Sequence, residues 1–493
     1  MAEQDNLKKL TAGTLKWNLI DRVLTQILYA VTGIVLAWLL SPADFGLVGA
    51  VLVFQAFASL LVDSGFSYAL LQKKEPTHTD YSTVLWFNIF VSIFFYVLLY
   101  LGAPLIADCF EGDERLIPLS RVMFLSMILN AASIVQINRL MKRMHVRMVA
   151  VSNTLGLIAG AICGIYLAVA GFGPWAIVWQ AVTISAVKTG VLWVTGHWLP
   201  ELRFSAKVIK GFMGLSWRMM CTSFLNTLFL NIYSFFIGNR AGMSALGYYT
   251  QADKWSKMGI TSISQVLTSS FLPVLAAVQD DRERYLRLCS KMNRFTAYLL
   301  FPCMCGLAVM ATPIFHLLFG TKWDPSIILF QLLLFRGIFT VLNSLYNNYI
   351  LALGNSKSIL RLEILRDSVA LVALFITLPF INMSTPSNPV FGLELLLWGQ
   401  VFSSAVTYMA TLVVTSRVSG HSVMALLKDL APYIILTLLS CAVAYPVMLT
   451  VNAAWLKVLS GFTIFSAVYL GANIAAGSKI QKEIAGMVLK RKK

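Results

Sequence analysis

Fourteen apolar stretches, each long enough to cross a bilayer as a helix, run through this chain of 493 residues. They fall at about 15–40, 43–71, 81–107, 117–138, 149–170, 174–196, 211–238, 246–278, 292–318, 326–353, 358–381, 391–416, 430–450 and 454–476. Roughly 20 apolar residues span the hydrocarbon layer as a helix. In lipid every backbone N–H and C=O has to be satisfied within the chain, which leaves helices as the structure for such runs. The expected fold class is therefore an all-α integral membrane protein of about fourteen transmembrane helices. Composition agrees: 58% of residues are hydrophobic and only 12% are charged, against roughly 25% charged in soluble proteins. A mean hydropathy of +0.74 leaves too little polar surface to cover a soluble core. The runs at 43–71 and 246–278 exceed the bilayer thickness and are expected to tilt or project from it.

A net charge of +17 invites a nucleic-acid reading, and the placement of the charges decides against it. Numbering the runs from a cytoplasmic start puts twenty-six Lys and Arg in the segments on the inner side. Only four (Arg115, Arg240, Lys322 and Lys457) fall on the outer side. An asymmetry kept up through every loop pair is the signature of positive-inside topology, and it predicts both termini in the cytoplasm. The tail Lys490-Arg491-Lys492-Lys493 then reads as a solvated segment beside anionic headgroups. Met1–Leu10 is polar and the first apolar run is of full length, so no cleavable signal peptide is expected. The longest loop, His197 to Lys210, is too short to fold as an extramembrane domain.

The chain also matches itself at an offset near 200. Leu15-Lys16-Trp17 aligns with Leu215-Ser216-Trp217, Gln26 with Asn226, and Phe45-Gly46-Leu47 with Leu246-Gly247-Tyr248. Pro104-Leu105-Ile106 aligns with Pro313-Ile314-Phe315, and Phe110 with Phe319. These matches predict two six-helix lobes of parallel topology, 1–200 and 201–420, followed by two appended helices and the basic tail, 421–493. Transporters commonly carry their substrate site at the junction of such repeats.

A charge inside a span costs at least about 2–3 kcal/mol and needs a partner or a wet cavity. Here the polar residues recur at helical spacing. The first span carries Arg22, Gln26, Tyr29 and Gly33 on one face, and the seventh carries Arg218, Thr222, Asn226 and Tyr233. Gln55, Ser59 and Asp63 mark the second span, Lys257, Thr261, Ser264 and Thr268 the eighth, and Arg336, Asn343 and Asn347 the tenth. The functional reading is a hydrated cavity with Arg22, Gln26, Arg218, Asn226, Lys254, Arg336 and Asn343 facing an anionic substrate. The competing reading is polar glue at helix contacts, at about 0.6 kcal/mol each. It is the better account of the Ser and Thr positions. Lys16, Lys188, Arg218 and Arg366 can also snorkel to the inner surface. Asp21 is placed to neutralise Arg22, and Asp367 to neutralise Arg366. Asp63, Asp21, Glu363 and Asp367 are the acids from which an ion-coupling or gating group would come, the ion being H⁺ or Na⁺.

Other chemistry is thinly represented. No GxxxxGK[ST], HExxH or GxSxG occurs, and the five histidines lack metal-ligand spacing. Cys303 and Cys305 read as small packing residues, and Cys109 has no evident disulfide partner. Gly171-Phe172-Gly173-Pro174-Trp175-Ala176 mimics a dinucleotide fingerprint, but it follows a membrane helix where a strand is required. No cofactor or metal is expected, and no soluble catalytic domain.

Leu36-Ala37-Trp38-Leu39-Leu40-Ser41-Pro42-Ala43-Asp44-Phe45-Gly46-Leu47 resembles a signature near the first two helices of Wzx-type polysaccharide flippases. The likeness is strongest to the branch of the colanic-acid exporter and related lipopolysaccharide biosynthesis proteins. It continues through Asp63–Lys74 and Asp80–Asn88, and in the second half through Leu246–Ala252 and Phe319–Trp323. Trp38 departs from the pattern, since relatives often carry Arg there. The resemblance implies the multidrug/oligosaccharidyl-lipid/polysaccharide exporter superfamily, with alternating access and no enzymatic activity. It implies as substrate a polyprenyl-diphosphate-linked oligosaccharide moved to the outer leaflet of the inner membrane for O-antigen, capsule or exopolysaccharide assembly. Membrane lipid and other polysaccharide-assembly proteins are the implied partners. The alternatives are a drug/cation antiporter or lipid II flippase of the same superfamily, and a membrane polymerase or glycosyltransferase.

Overall fold

A computed structural model of the chain describes residues 2–63, 66–385, 388 and 390–483, with backbone only at 2–12, 15, 215, 218, 266 and 268–270. The basic tail 490–493 and Ser64-Gly65 lie outside the described residues. Among those described, the sole strand-like pairing is an isolated bridge between Thr385 and Asn388. The chain divides into two compact units, Met1–Gly247 and Tyr248–Lys493.

The first unit holds α1 (Ala2–Leu39), α2 (Pro42–Asp63), α3 (Phe66–Gln72), α4 (His78–Leu101), α5 (Ala103–Asp108) and α6 (Leu116–Met123). It continues with α7 (Leu125–Lys142), α8 (Val146–Val169), α9 (Trp175–Gly196) and the start of α10 (Ala206–Ala276). The second unit takes the rest of α10, then α11 (Arg282–Val309), α12 (Ala311–Leu318), α13 (Asp324–Ala352), α14 (Ser356–Thr377), α15 (Phe391–Ser419), α16 (Val423–Leu449) and α17 (Ala454–Ala475).

Twelve segments among the described residues are long and apolar enough to cross a membrane. One of them, Met219–Gln265, has 47 residues and contains Gly242. With φ 82° and ψ 173° that glycine leaves the helical region, where a side chain would clash, so α10 is two crossings, 206–241 and 243–276. The helix α14 falls outside the twelve because Lys357, Arg361, Glu363, Arg366 and Asp367 crowd its 22 residues. Both additions bring the total to fourteen.

Small residues set a close-packed seam in the first unit. Gly156, Gly160 and Gly164 recur every fourth residue on α8 and face α9. A Cβ at Gly160 would sit 2.3 Å from Ile184 Cγ1, and one at Gly156 only 2.8 Å from the Ile184 carbonyl oxygen. With no hydrophobic drive for helices to associate in lipid, such close backbone approach is what holds them by dispersion. A second close approach is reciprocal. A Cβ at Gly46 would lie 1.8 Å from the Met243 carbonyl oxygen, and one at Gly247 would lie 1.8 Å from that of Pro42. Gly46 and Gly247 are aligned in the internal repeat, as are 42 and 243, so each member of the pair meets the other's counterpart.

The segment 197–205 is strapped to the same unit. Trp86 Nε1 donates to the Glu201 carbonyl at 2.8 Å, the Glu201 amide to Ser82 Oγ at 2.9 Å, and buried Arg139 to the Gly196 carbonyl at 2.8 Å. In the second unit the largely apolar core includes a hydroxyl and amide network. Tyr285 donates to the Tyr349 carbonyl (2.6 Å), Tyr349 to the Cys289 carbonyl (3.0 Å), and Tyr346 to Asn293 Oδ1 (3.2 Å).

Candidate functional site

Helix α2 is apolar apart from one stripe, and its polar residues take two different roles. Gln55 Nε2 donates to Ser126 Oγ on α7 at 2.7 Å, which makes it an interhelical fastening. Ser59 and Asp63, one and two turns on, line a cavity of about 410 Å³ within the first unit. Ser67 Oγ donates to Asp63 Oδ1 at 2.6 Å, and Asn138 Nδ2 donates to Ser67 at 2.9 Å, so a relay of two hydrogen bonds aims the carboxylate. The facing wall is the first crossing of α10, through Met219, Met220, Ser223, Thr227, Leu230 and Asn231.

Sequence periodicity marks Arg218, Thr222, Asn226 and Tyr233 as the polar face of that crossing. The cavity is lined by the stripe one residue over, Ser223, Thr227 and Asn231 at fourfold spacing. Asn226 is exposed, and the Arg218 side chain lies outside those described. The neighbouring stripe was visible in the sequence as a period of four. The two stripes lie about 100° apart on the helix, and a charge outweighs hydroxyls in a polarity pattern.

On α1, Arg22 is exposed and Gln26 is half-buried. Among the described residues Asp21 makes no ion pair with its neighbour Arg22. It turns to α8, where Asn153 Nδ2 lies 3.3 and 3.4 Å from its two oxygens, and Lys188 on α9 attracts its charge. Lys188 sits at the α8–α9 seam, its Cβ 3.1 Å from where a Cβ of Gly156 would be. The contact of Asp21 on α1 with Asn153 on α8 is one that sequence spacing could not show.

In the second unit, half-buried Lys254 stands 5.5 Å over the Trp255 ring, and Lys257 is paired with Asp253 at 2.6 Å. Thr261 bonds back to the Lys257 carbonyl, and the Thr268 side chain is not among those described. Arg336 on α13 donates to Gln400 Oε1 on α15. One face further along α13 carries Asn343 and Asn347, whose side-chain oxygens are buried and accept no hydrogen bond among the described residues. Asp367 pairs with Arg366 at 2.9 Å, as adjacency in sequence suggests, with Glu363 half-buried one turn earlier. Among the described residues no three His, Cys, Asp or Glu gather as metal ligands.

The helical architecture, with its many apolar spans, defines a multi-pass helical membrane protein. Solved structures share this fold: an inward closed conformation of the lipid II flippase MurJ matches with a TM-score of 0.70 at 15% identity, covering 93% of this chain and 100% of that one. An inward-facing multidrug resistance MATE transporter of the MOP superfamily matches at 0.61 and 17% identity, covering 80% and 96%. The sequence profile of a family described as polysaccharide biosynthesis protein matches residues 35–328, and the chain belongs to that family. It is similar to the succinoglycan biosynthesis transport protein ExoT of Rhizobium meliloti (strain 1021), 27% identical over 337 residues and 68% of each chain. The lipopolysaccharide biosynthesis protein WzxC of Escherichia coli (strain K12) is 27% identical over 338 residues, again 68% of each.

Proposed function

We propose that the protein is a flippase that carries a polyprenyl-diphosphate-linked oligosaccharide from the cytoplasmic to the outer leaflet of the inner membrane, for surface polysaccharide assembly. The observation that carries the reading is the set of cations held inside membrane spans, Arg22 in the first unit and Lys254 and Arg336 in the second. A diphosphate crossing lipid needs charge-assisted partners to replace its hydration, and guanidinium forks suit phosphate oxygens. The names of ExoT and WzxC support a glycan as cargo. In this reading both termini are cytoplasmic, the site is exposed alternately to the two leaflets, and an ion gradient of H⁺ or Na⁺ supplies direction.

The test is deletion of the gene followed by lipid analysis. A single polyprenyl-linked oligosaccharide should build up on the cytoplasmic side, and intact surface glycans with no build-up would refute the reading. Arg22→Ala and Arg336→Ala should each slow flipping in proteoliposomes by roughly 10- to 100-fold, the equivalent of a charge-assisted hydrogen bond worth about 1.5–3 kcal/mol. Unchanged flipping would remove these two residues from the path.

A further inference from the structure

Among the described residues the cavity of the first unit has no cation in its wall, and Arg22, Lys254 and Arg336 do not line it. Its polar lining is Ser59, Asp63, Tyr68, Ser223, Thr227 and Asn231. We propose that this cavity is the glycan subsite, in which these side chains hold one sugar ring of the cargo by its hydroxyl groups. The inference rests on the flippase reading for the identity of the cargo, and deepens it.

Four features of the cavity point to a sugar. A sugar hydroxyl both donates and accepts, so its site has to offer both kinds of partner. The carboxylate accepts only, while hydroxyls and a carboxamide do both. Asp63 accepts from Ser67 through one oxygen, which among the described residues leaves most of the roughly four acceptor positions of a carboxylate unused. The Asn138–Ser67–Asp63 relay fixes its direction before the ligand arrives, which lowers the ordering cost of binding. Asn231 Nδ2 is anchored to the Thr227 carbonyl at 2.8 Å, and this turns the amide oxygen and second N–H toward other partners. Tyr68 is 55% exposed and offers an aromatic face beside this polar wall, suited to the C–H face of a pyranose.

The alternatives fit less well. A diphosphate would meet the Asp63 charge with no cation among the described lining residues to offset it. A lipophilic cation would find the acid but only one aromatic ring among four uncharged hydrogen-bonding side chains. The volume, about 410 Å³, lies at the low end of the roughly 300–1,000 Å³ usual for small-molecule sites, room for a sugar ring and too little for a whole oligosaccharide.

The experiment uses the full-length protein in proteoliposomes, with Ser223→Cys labelled by a small maleimide and read at that peptide by mass spectrometry. The probes are the lipid-linked oligosaccharide pool extracted from the deletion strain, sugar-free polyprenyl diphosphate, and tetraphenylphosphonium. The glycan-bearing pool should slow labelling at least fivefold, and the other two should leave it unchanged. In parallel, Asp63→Asn should slow flipping of the pool about tenfold with the pH and sodium dependence of the wild type retained. Equal protection by sugar-free lipid, protection by tetraphenylphosphonium, or no protection in a protein that still flips the pool would each overturn the subsite. Loss of pH or sodium dependence in Asp63→Asn would overturn it as well, by making that residue the coupling acid. Protection by the glycan pool in a protein that fails to flip it would sustain the subsite and refute the flippase reading.

Discussion

Asp113 and Arg115, in the turn that joins α5 to α6, show how an exposed pair is tied to pH. Arg115 donates from Nε at 2.9 Å and from Nη2 at 2.7 Å, and this holds the Asp113 carboxyl below the usual carboxylate range. A carboxylate whose pKa is lowered by folding adds stability above its unfolded value and loses it as pH falls through the folded one. Asp113→Asn should therefore melt below the wild type at neutral pH, with the gap closing below about pH 4, near the unfolded value. A gap that stays constant down to strong acid would remove the ion pair as its cause. Deeper in, Asp21 and Lys188 belong to different helices and should couple. A double-mutant cycle of Asp21→Asn and Lys188→Met, followed by thermal melting, should return about 0.5–3 kcal/mol of interaction. Strictly additive losses would mean that only Asn153 matters to Asp21.

Helices in lipid are held by shape more than by apolar pattern, and this limits what a sequence discloses about them. The fourteen runs were legible because length and hydropathy are local properties. Which side of each run meets a neighbour was not, since lipid tails and packed side chains are equally apolar and leave no contrast along the circumference. The α8 seam illustrates the loss. Gly156, Gly160 and Gly164 were as easy to read as any motif, yet no polarity step marked them as a contact face. On α10 the cavity is lined by Ser223, Thr227 and Asn231, next to the stripe that the charge of Arg218 marks in the sequence. Asp63 and Ser59 were legible as a stripe on α2, whereas Tyr68, on α3, joined them only through the fold. The seam makes opposite predictions for two glycines. Gly160→Ala drives a methyl against Ile184 and should cost about 1–3 kcal/mol by overpacking. Gly190→Ala, on the open side of α9, meets nothing within 4 Å and should gain up to about 1 kcal/mol from helix propensity. Melting of the two purified variants checks both signs, and a shared sign would mean that the seam is not close-packed in the membrane.

At the scale of the molecule, the sorting of charge makes the orientation testable without any transport assay. Glu111→Cys, in the turn before α6, should react with an impermeant thiol reagent added to intact cells. Glu201→Cys, in the strap after α9, should react only after the membrane is opened. The reverse pattern would invert the proposed topology. The paired glycines Gly46 and Gly247 carry a consequence of another kind. Their contact consists of backbone on both sides, so it has no rotamer to change, no proton to lose and no stake in which sugar is carried. Side chains that face the cargo are free to drift as surface polysaccharides diversify, while these two positions are not. Among descendants of this chain that export unlike glycans, they are where divergence should stop.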